Sequence, residues 1–244
     1  MKLLLAFFLF PIFFLGCNNN TSAPRLTGNI TGKIYLYSDN GLRQTDNSGA
    51  QISIDGSSYS TVSLSDGSWE LKDIPAGIYT FVFSKAGYST LKYYNVQFVG
   101  GGTLALGYRS IGQIPKATAK ILSLTGPDYR KNFYLQGSIT PADSLFRSGY
   151  TIFDTTAIPL SSSTSALFGY YFYLPSDSTI LNQTIQDINY IIMPYNLKSG
   201  TKLYLRIVIK PRGGEAESYN PFTLKNDIFN LQSAMSNLDS LIVP

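Results

Sequence analysis

The sequence predicts an all-β protein built from two tandem β-sandwiches. Of its 244 residues, 44% are hydrophobic and only 14% are charged, so the chain can bury sizeable cores. The 18 tyrosines, 15 phenylalanines and 21 glycines favour strands joined by turns over long surface helices. Apolar and polar residues also alternate along short segments bounded by turn residues, a pattern typical of half-buried strands.

The residue inventory limits the chemistry. The net charge is only +4, and lysine and arginine form no basic run, so we expect no nucleic-acid partner. The chain has no histidine and one cysteine, which excludes Cys-His zinc sites, Ser-His and Cys-His nucleophile pairs and a histidine general base. The acidic loops lack the ligand spacing of an EF-hand. We therefore expect no metal, no cofactor and no enzymatic activity.

The N-terminal segment has the pattern of a signal peptide. Lys2 precedes an apolar run at residues 3–15, which is too short for a stable membrane span and right for a secretory segment. We assign residues 1–16 to this signal peptide. A short buried helix is the alternative interpretation.

The only cysteine follows directly. Cys17 comes after Phe14-Leu15-Gly16, and this junction resembles the lipobox of bacterial lipoproteins, although Phe14 and Leu15 depart from its usual residues. The resemblance implies that Cys17 is lipidated and becomes the new N-terminus, anchoring the protein in a membrane. Because Asn18 is not the aspartate associated with inner-membrane retention, the resemblance implies the outer membrane. Residues 17–26 would form the lipidated tether. The alternative is an unmodified thiol in a cleaved signal.

The central stretch of the first domain predicts a three-strand meander. In residues 66–88, Asp66-Gly67 is a tight-turn dipeptide and Pro75-Ala76-Gly77 reverses the chain. A set of landmarks in order resembles the carboxypeptidase regulatory-like domain, a small transthyretin-like sandwich. This resemblance covers residues 27–108 and implies a noncatalytic accessory module. The landmarks are Gly32 opening a strand, residues 50–54, the hairpin at 65–69, residues 74–79 and residues 84–88.

A second sandwich is predicted at residues 117–225, after a weakly patterned boundary. Roughly seven strands fit this length, the count of an immunoglobulin-like domain. In the clearest strand, residues 201–210, the apolar side chains alternate with polar ones. Residues 197–206, followed by Gly213-Gly214-Glu215, resemble the E–F corner and F–G hairpin of a fibronectin type III domain. Apolar residues at helical spacing predict a short C-terminal helix, or a tail, at 226–244.

Consecutive tyrosines supply the candidate binding surface. Tyr170, Tyr171 and Tyr173 lie on one predicted strand, where neighbouring side chains face opposite sides, so at least one must point away from the core. Exposed tyrosines suit contact with a protein or a glycan. The alternative is that these rings cover the sheet or the seam between the domains.

Three functions remain open. The first is a noncatalytic, membrane-anchored lipoprotein of the cell envelope that acts as a binding or accessory module for a protein or glycan partner. The second is a structural spacer. The third is a secreted hydrolase that uses carboxylates only, which would require a close Asp/Glu pair in a cleft.

The second half of the chain also contains candidate modification sites. Four tripeptides resemble the Asp-Ser/Thr sequon that some Gram-negative envelopes use for O-glycosylation. Their acceptors would be Ser144, Thr155, Ser178 and Ser240. Asp-Ser pairs also recur simply because both residues favour turns.

We predict that Cys17→Ser abolishes lipidation and releases the protein from the membrane or leaves it misprocessed, because the substituted side chain has no thiol to acylate. Cells fed a clickable fatty-acid analogue should label the wild-type protein and not the variant. An unlabelled wild-type protein would contradict the lipobox interpretation.

Overall fold

The protein is nearly all β. The structure, a computed structural model, describes residues 25–140, 147–161, 163–175, 178–186, 188, 192–215, 217–229 and 231–244. The expected signal peptide, Cys17 and Ser144 lie outside these residues. Within the described ranges, no helix is long and apolar enough to cross a membrane. The strands of the first half are β1 (Thr27–Tyr37), β2 (Gln51–Ile54), β3 (Ser60–Val62), β4 (Ser68–Pro75), β5 (Gly77–Ser84), β6 (Leu91–Phe98) and β7 (Thr103–Gly112).

The first sandwich packs two sheets around one core. One sheet has the order β4-β1-β7 and the other the order β3-β2-β5-β6. β1 runs parallel to β7, whereas the other pairs in these two sheets are antiparallel. Trp69 lies against Phe81 and Phe83, with ring centroids 6.2 Å and 5.9 Å away. These large rings fill the space between the sheets and supply much of the buried apolar area.

Two glycines make this core possible. A Cβ on Gly32 would lie 2.5 Å from Cζ2 of Trp69, so only glycine lets the indole lie across β1. Gly67 has φ +85°, and a Cβ there would lie 2.2 Å from the Ile34 carbonyl oxygen. Beside it, the Asp66 carboxylate accepts hydrogen bonds from the hydroxyl and backbone N–H of Ser68. These bonds lower the pKa of Asp66 to about 2 and fix the turn between β3 and β4.

The second half adds ten strands and two short 3-10 helices in the described residues. The second sandwich consists of a three-strand sheet, β13-β9-β8, facing a four-strand sheet, β12-β10-β14-β17. The elements are β8 (Thr118–Thr125), β9 (Phe133–Thr140), β10 (Arg147–Asp154), β11 (Ser163–Ala166), β12 (Phe168–Leu174), β13 (Ile180–Ile185), η1 (Met193–Tyr195), β14 (Lys202–Ile209), β15 (Glu217–Asn220), β16 (Lys225–Phe229), η2 (Gln232–Ala234) and β17 (Asp239–Ile242).

Strand β14 follows the predicted alternation on its inner face. Leu203, Leu205, Ile207 and Ile209 are all completely buried. The outer face differs from the expected polar surface, because Arg206 is also buried. Its Nε donates to the Ile158 carbonyl at 2.7 Å, and burial lowers the pKa of its guanidinium. A further layer must therefore cover this side of the sheet.

That layer comes from β11 and from the chain between β14 and β17. β16 pairs with β11 on one side and β15 on the other, forming a third sheet. A separate apolar cluster fills the space beneath it, and its members are Ile152, Ile158, Ala166, Val208, Ile228, Leu231 and Met235. Of the expected short helix or tail at 226–244, the helix is therefore wrong. Ile228 instead lies on β16, and Leu231 and Met235 lie at the two ends of a single 3-10 turn. Their side chains cover the apolar outer face of β10 and β14.

The third sheet also joins the two sandwiches. Asp227 on β16 is buried, and its carboxylate accepts hydrogen bonds from Tyr94 on β6 at 2.5 Å, from Ser165 on β11, and from Asn220 at 2.8 Å. Three donors satisfy this buried charge. Because the donors belong to both halves of the chain, the carboxylate holds the halves together.

A second contact between the sandwiches is an ion pair. Nη1 of Arg147 lies 2.6 Å from Oδ1 of Asp39, and the side chains are only 4% and 14% exposed. Asp39 lies in the loop after β1 and Arg147 begins β10. Desolvation makes such a pair costly to break by removal of one partner.

We predict that Arg147→Ala lowers the free energy of unfolding by about 3 kcal/mol, because it leaves Asp39 partly buried without its cation. Denaturant titration followed by both circular dichroism and fluorescence measures the change. The control is Lys33→Ala, which removes a pair that is about half exposed and should cost much less, because solvent screens exposed ion pairs. Equal losses in the two variants would contradict a structural role for the Asp39–Arg147 pair.

Candidate functional site

The tyrosines of β12 divide between the two faces of its sheet. Tyr171 and Tyr173 point outward and are 38% and 62% exposed. Tyr170 is half-buried and packs against the core of the second sandwich. Of the three residues in the candidate surface, Tyr171 and Tyr173 are therefore available to a ligand, and Tyr170 supports the strand from behind.

A third, half-buried ring adjoins these two. Tyr150 on β10 lies opposite Tyr171 in the strand register, and their ring centroids are 5.2 Å apart at 66°. The Tyr171 and Tyr173 centroids are 4.7 Å apart at 75°. We call Tyr150, Tyr171 and Tyr173 the tyrosine platform. Each ring packs edge-to-face against the next, the geometry that aromatic quadrupoles favour.

Charged groups hold the platform in place. Nζ of Lys210 lies 5.6 Å from the Tyr150 ring centroid and 5.9 Å from that of Tyr171, within the range of a cation–π interaction. Burial raises the pKa of Tyr150, and the nearby Glu217 carboxylate raises it further. A hydrogen bond with Tyr171 raises the pKa of Tyr173. Both phenols are therefore neutral at physiological pH.

Strand β6 carries another pair of neighbouring tyrosines, Tyr93 and Tyr94, and one of them contributes to the contact between the two halves of the chain. Tyr94 turns inward and donates to Asp227. Tyr93 is 38% exposed and has the Arg109 guanidinium 3.8 Å above its ring centroid. Beside it lies a cleft of about 340 Å³ between the sandwiches, lined by Tyr93 and Glu217 among others. Glu217 thus links this cleft to the tyrosine platform.

The carboxylates near this surface have structural partners. Asp154 is buried, pairs with Lys225 at 2.6 Å and accepts a hydrogen bond from the Thr156 N–H. Oε1 of Glu215 accepts from the Ser110 N–H. In the part of the chain that the structure describes, no group of three or more His, Cys, Asp and Glu residues could hold a metal ion. This surface offers ring stacking and hydrogen bonding.

The described glycosylation candidates differ in accessibility. Thr155 is exposed in the turn after β10. Ser178 is half-buried, and its hydroxyl donates to the Ile180 carbonyl. Ser240 is half-buried within β17, where it pairs with Tyr204. Thr155 is therefore the most accessible acceptor of these three.

Three residues lie beside Tyr171 and Tyr173 in the site. They are Tyr150 on β10, Lys210 directly after β14 and Glu217 at the start of β15. Tyr150, Lys210 and Glu217 were not predicted to belong to the binding surface. Lys210 ends the predicted strand at residues 201–210, but only the pairing of β10 with β12 and β14 brings Tyr150 and Lys210 to Tyr171. Strand pairing between distant segments leaves no local signal.

No protein-family model and no curated protein matches the chain. Solved structures with a similarity include a proposed carbohydrate-binding protein from Bacteroides uniformis, with 11% identity over 88% of this chain and 98% of that chain and a TM-score of 0.33. A DUF3823 family protein from Parabacteroides merdae has 12% identity over 90% and 100%, with a TM-score of 0.30.

A type II cohesin–X-dockerin complex from Acetivibrio cellulolyticus has 25% identity over 35% of this chain, with a TM-score of 0.31. The chain spans 58% of the length of that matched chain. All of these TM-scores are below 0.5, and the similarities carry no inference about the function of this protein.

We predict that, if the sequons are used, Thr155 carries a glycan, because its side chain stands in water on a turn and a sugar there disturbs no packing. Intact-mass and peptide mass spectrometry of the natively expressed protein should find a hexose-containing mass on the peptide with Thr155 that Thr155→Ala removes. Ser240→Ala is the matched control and should leave that mass in place. A native mass equal to the lipidated polypeptide alone would refute the modification.

Proposed function

We propose that the chain is a noncatalytic, lipid-anchored binding protein of the cell envelope, and that its tyrosine platform recognises a glycan. The observation that carries this proposal is the pair of outward rings on β12, with the Tyr150 ring packed edge-to-face beside them. A rigid sheet that presents preordered aromatic rings loses little conformational entropy when a ligand stacks on them.

The chemistry of the platform favours a sugar. A pyranose ring has apolar C–H faces and polar edges. The faces of the sugar can stack on Tyr171 and Tyr173, while Lys210 and the phenol groups hydrogen-bond its hydroxyls. The perpendicular packing of the rings means that one tyrosine offers a face where its neighbour offers an edge.

The size of the platform also favours a glycan over a protein. A stable protein–protein interface buries about 800 Å² on each partner, which requires roughly 20–30 residues. Three rings and two charged side chains form a much smaller surface, which suits one or two sugar units. A protein partner remains an outcome of the binding experiment below.

The membrane anchor is part of the same proposal. Lipidation at Cys17 would place the tether of residues 17–26 between the outer membrane and β1. Each buried methylene of the acyl chains contributes about 0.8 kcal/mol, so more than one chain holds a protein durably on a bilayer. The short tether would keep both sandwiches close to the envelope surface and its glycans.

The two other functions have less support. A spacer would benefit from the rigid connection between the sandwiches but has no use for an exposed aromatic cluster. A carboxylate-only hydrolase needs a pair of acids free to act on a substrate. The buried carboxylates Asp154 and Asp227 are instead occupied by Lys225, Tyr94 and other donors.

We predict that the double substitution Tyr171→Ala and Tyr173→Ala weakens glycan binding by roughly fivefold or more, if each stacked ring contributes about as much as an aromatic pair does, about 0.5–1.5 kcal/mol. A glycan array probed with the chain from Asn18 to Pro244, which keeps every described residue, identifies the ligand, and calorimetry measures its affinity. Tyr129→Ala is the control, since Tyr129 is 86% exposed and lies outside the platform.

Unchanged affinity in the double variant would contradict the platform as the site. Capture of an envelope protein, with no glycan retained on the array, would contradict the choice of ligand and support a protein partner.

A further inference from the structure

The first sandwich contains a groove that the tyrosine platform does not use. It has a volume of about 870 Å³ and is lined by residues of β1, β3, β4 and β7 and of the turn between β3 and β4. We infer that this groove is a second ligand site, which binds a short neutral oligosaccharide. The inference rests on the proposed glycan-binding function but concerns a different sandwich and different residues.

Aromatic rings form one part of the groove. The centroids of Tyr35 on β1 and Tyr108 on β7 are 5.7 Å apart, and the rings are tilted by 34°. Tyr108 is 67% exposed. The Arg43 guanidinium lies 3.5 Å from the Tyr35 centroid and holds that ring in place. The exposed Tyr108 ring is available for stacking on a sugar face.

A buried polar group also lines the groove. Trp69 is only 5% exposed, and its indole Nε1 is buried with no hydrogen-bond partner in the structure. An unsatisfied buried donor costs about 1–3 kcal/mol, and such groups in native structures call for an explanation. Trp69 lines the groove, but less than 1 Å² of Nε1 is accessible in the structure. The inference therefore includes a slight rotation of the indole toward the groove, which would bring this donor to a hydroxyl or ring oxygen of the ligand.

The charges around the groove indicate a neutral ligand. Lys33 pairs with Asp66 at 3.3 Å, and Glu70 pairs with Lys72 at 3.6 Å. These pairs are exposed, but they balance the two charged side chains that line the groove. A strongly charged ligand would find no excess of opposite charge there.

The remaining lining suits a sugar in shape and polarity. Val62 and Leu64 are 58% and 64% exposed and supply an apolar wall. The hydroxyls of Thr31 and Thr61 also line the groove, and each can donate and accept a hydrogen bond. The volume lies within the range of about 300–1,000 Å³ typical of small-ligand sites. An oligosaccharide of a few units meets all of these conditions.

The single tryptophan of the chain makes the inference directly testable. Because Trp69 lines the groove, its fluorescence reports on this site, whereas the platform contains no tryptophan. The chain from Asn18 to Pro244 is titrated with cellotetraose, xylotetraose, maltotetraose, mannotetraose and chitotetraose, and with any neutral glycan retained on the array. We expect at least one of these probes to change the Trp69 emission in a saturable way.

Two variants assign the response to the groove. Ala105 is exposed and lines the groove, so Ala105→Phe should fill it and weaken the fluorescence-detected binding by at least tenfold. Tyr108→Ala should weaken it several-fold by removing the exposed ring, and circular dichroism checks that both variants fold. The double substitution of Tyr171 and Tyr173 is the matched control and should leave the Trp69 response unchanged.

The results separate this inference from the proposed platform function. A Trp69 response that Ala105→Phe abolishes supports the groove, even if the platform variants bind glycans normally. No emission change with any probe overturns the inference, as does a response that survives in both groove variants. Displacement of the bound tetrasaccharide by an extended peptide of higher affinity would overturn the choice of ligand.

Discussion

The hydrogen bonds to the buried Asp227 carboxylate are the constraint on which the rest of the structure depends. They connect Tyr94 of the first sandwich to Ser165 and Asn220 of the third sheet, and no part of this cluster can move without leaving a buried charge unsatisfied. The same contact fixes the third sheet on the outer face of β10 and β14. Because β15 of that sheet carries Glu217, which lies near Tyr150, the sheet that joins the sandwiches also borders the tyrosine platform.

The all-β class followed from the sequence because strand periodicity is a local signal. The completely buried Leu203, Leu205 and Ile207 show this directly. The C-terminal segment could not be predicted in the same way. Ile228, Leu231 and Met235 fit the spacing of a helix, but the outer face of the four-strand sheet is apolar and requires a cover. The pairing of β16 with β11 and β15 therefore decided the structure, and such tertiary contacts override local propensity.

The candidate site, like the fold, could be predicted only where a local pattern along one strand determines it. Alternation along β12 places one set of side chains outward, which is why Tyr171 and Tyr173 could be proposed from the sequence. The assignment of Tyr170 to the same surface required knowing which set faces the core. Glu217 entered the site through a sheet that the sequence did not predict. The groove was likewise hidden, since a tryptophan in a predicted core strand gives no sign that its indole N–H lacks a partner.

The measurement that tests the central claim most directly is chemical-shift mapping of the protein, with assigned tyrosine ring resonances, against glycans released from its own cell envelope. The claim is that a noncatalytic aromatic surface on a rigid pair of sandwiches binds sugar. The account predicts saturable shifts concentrated on the rings of Tyr150, Tyr171 and Tyr173, with the glycan spectrum unchanged over time. Shifts confined to other surfaces, or cleavage of the glycan during the titration, would contradict it.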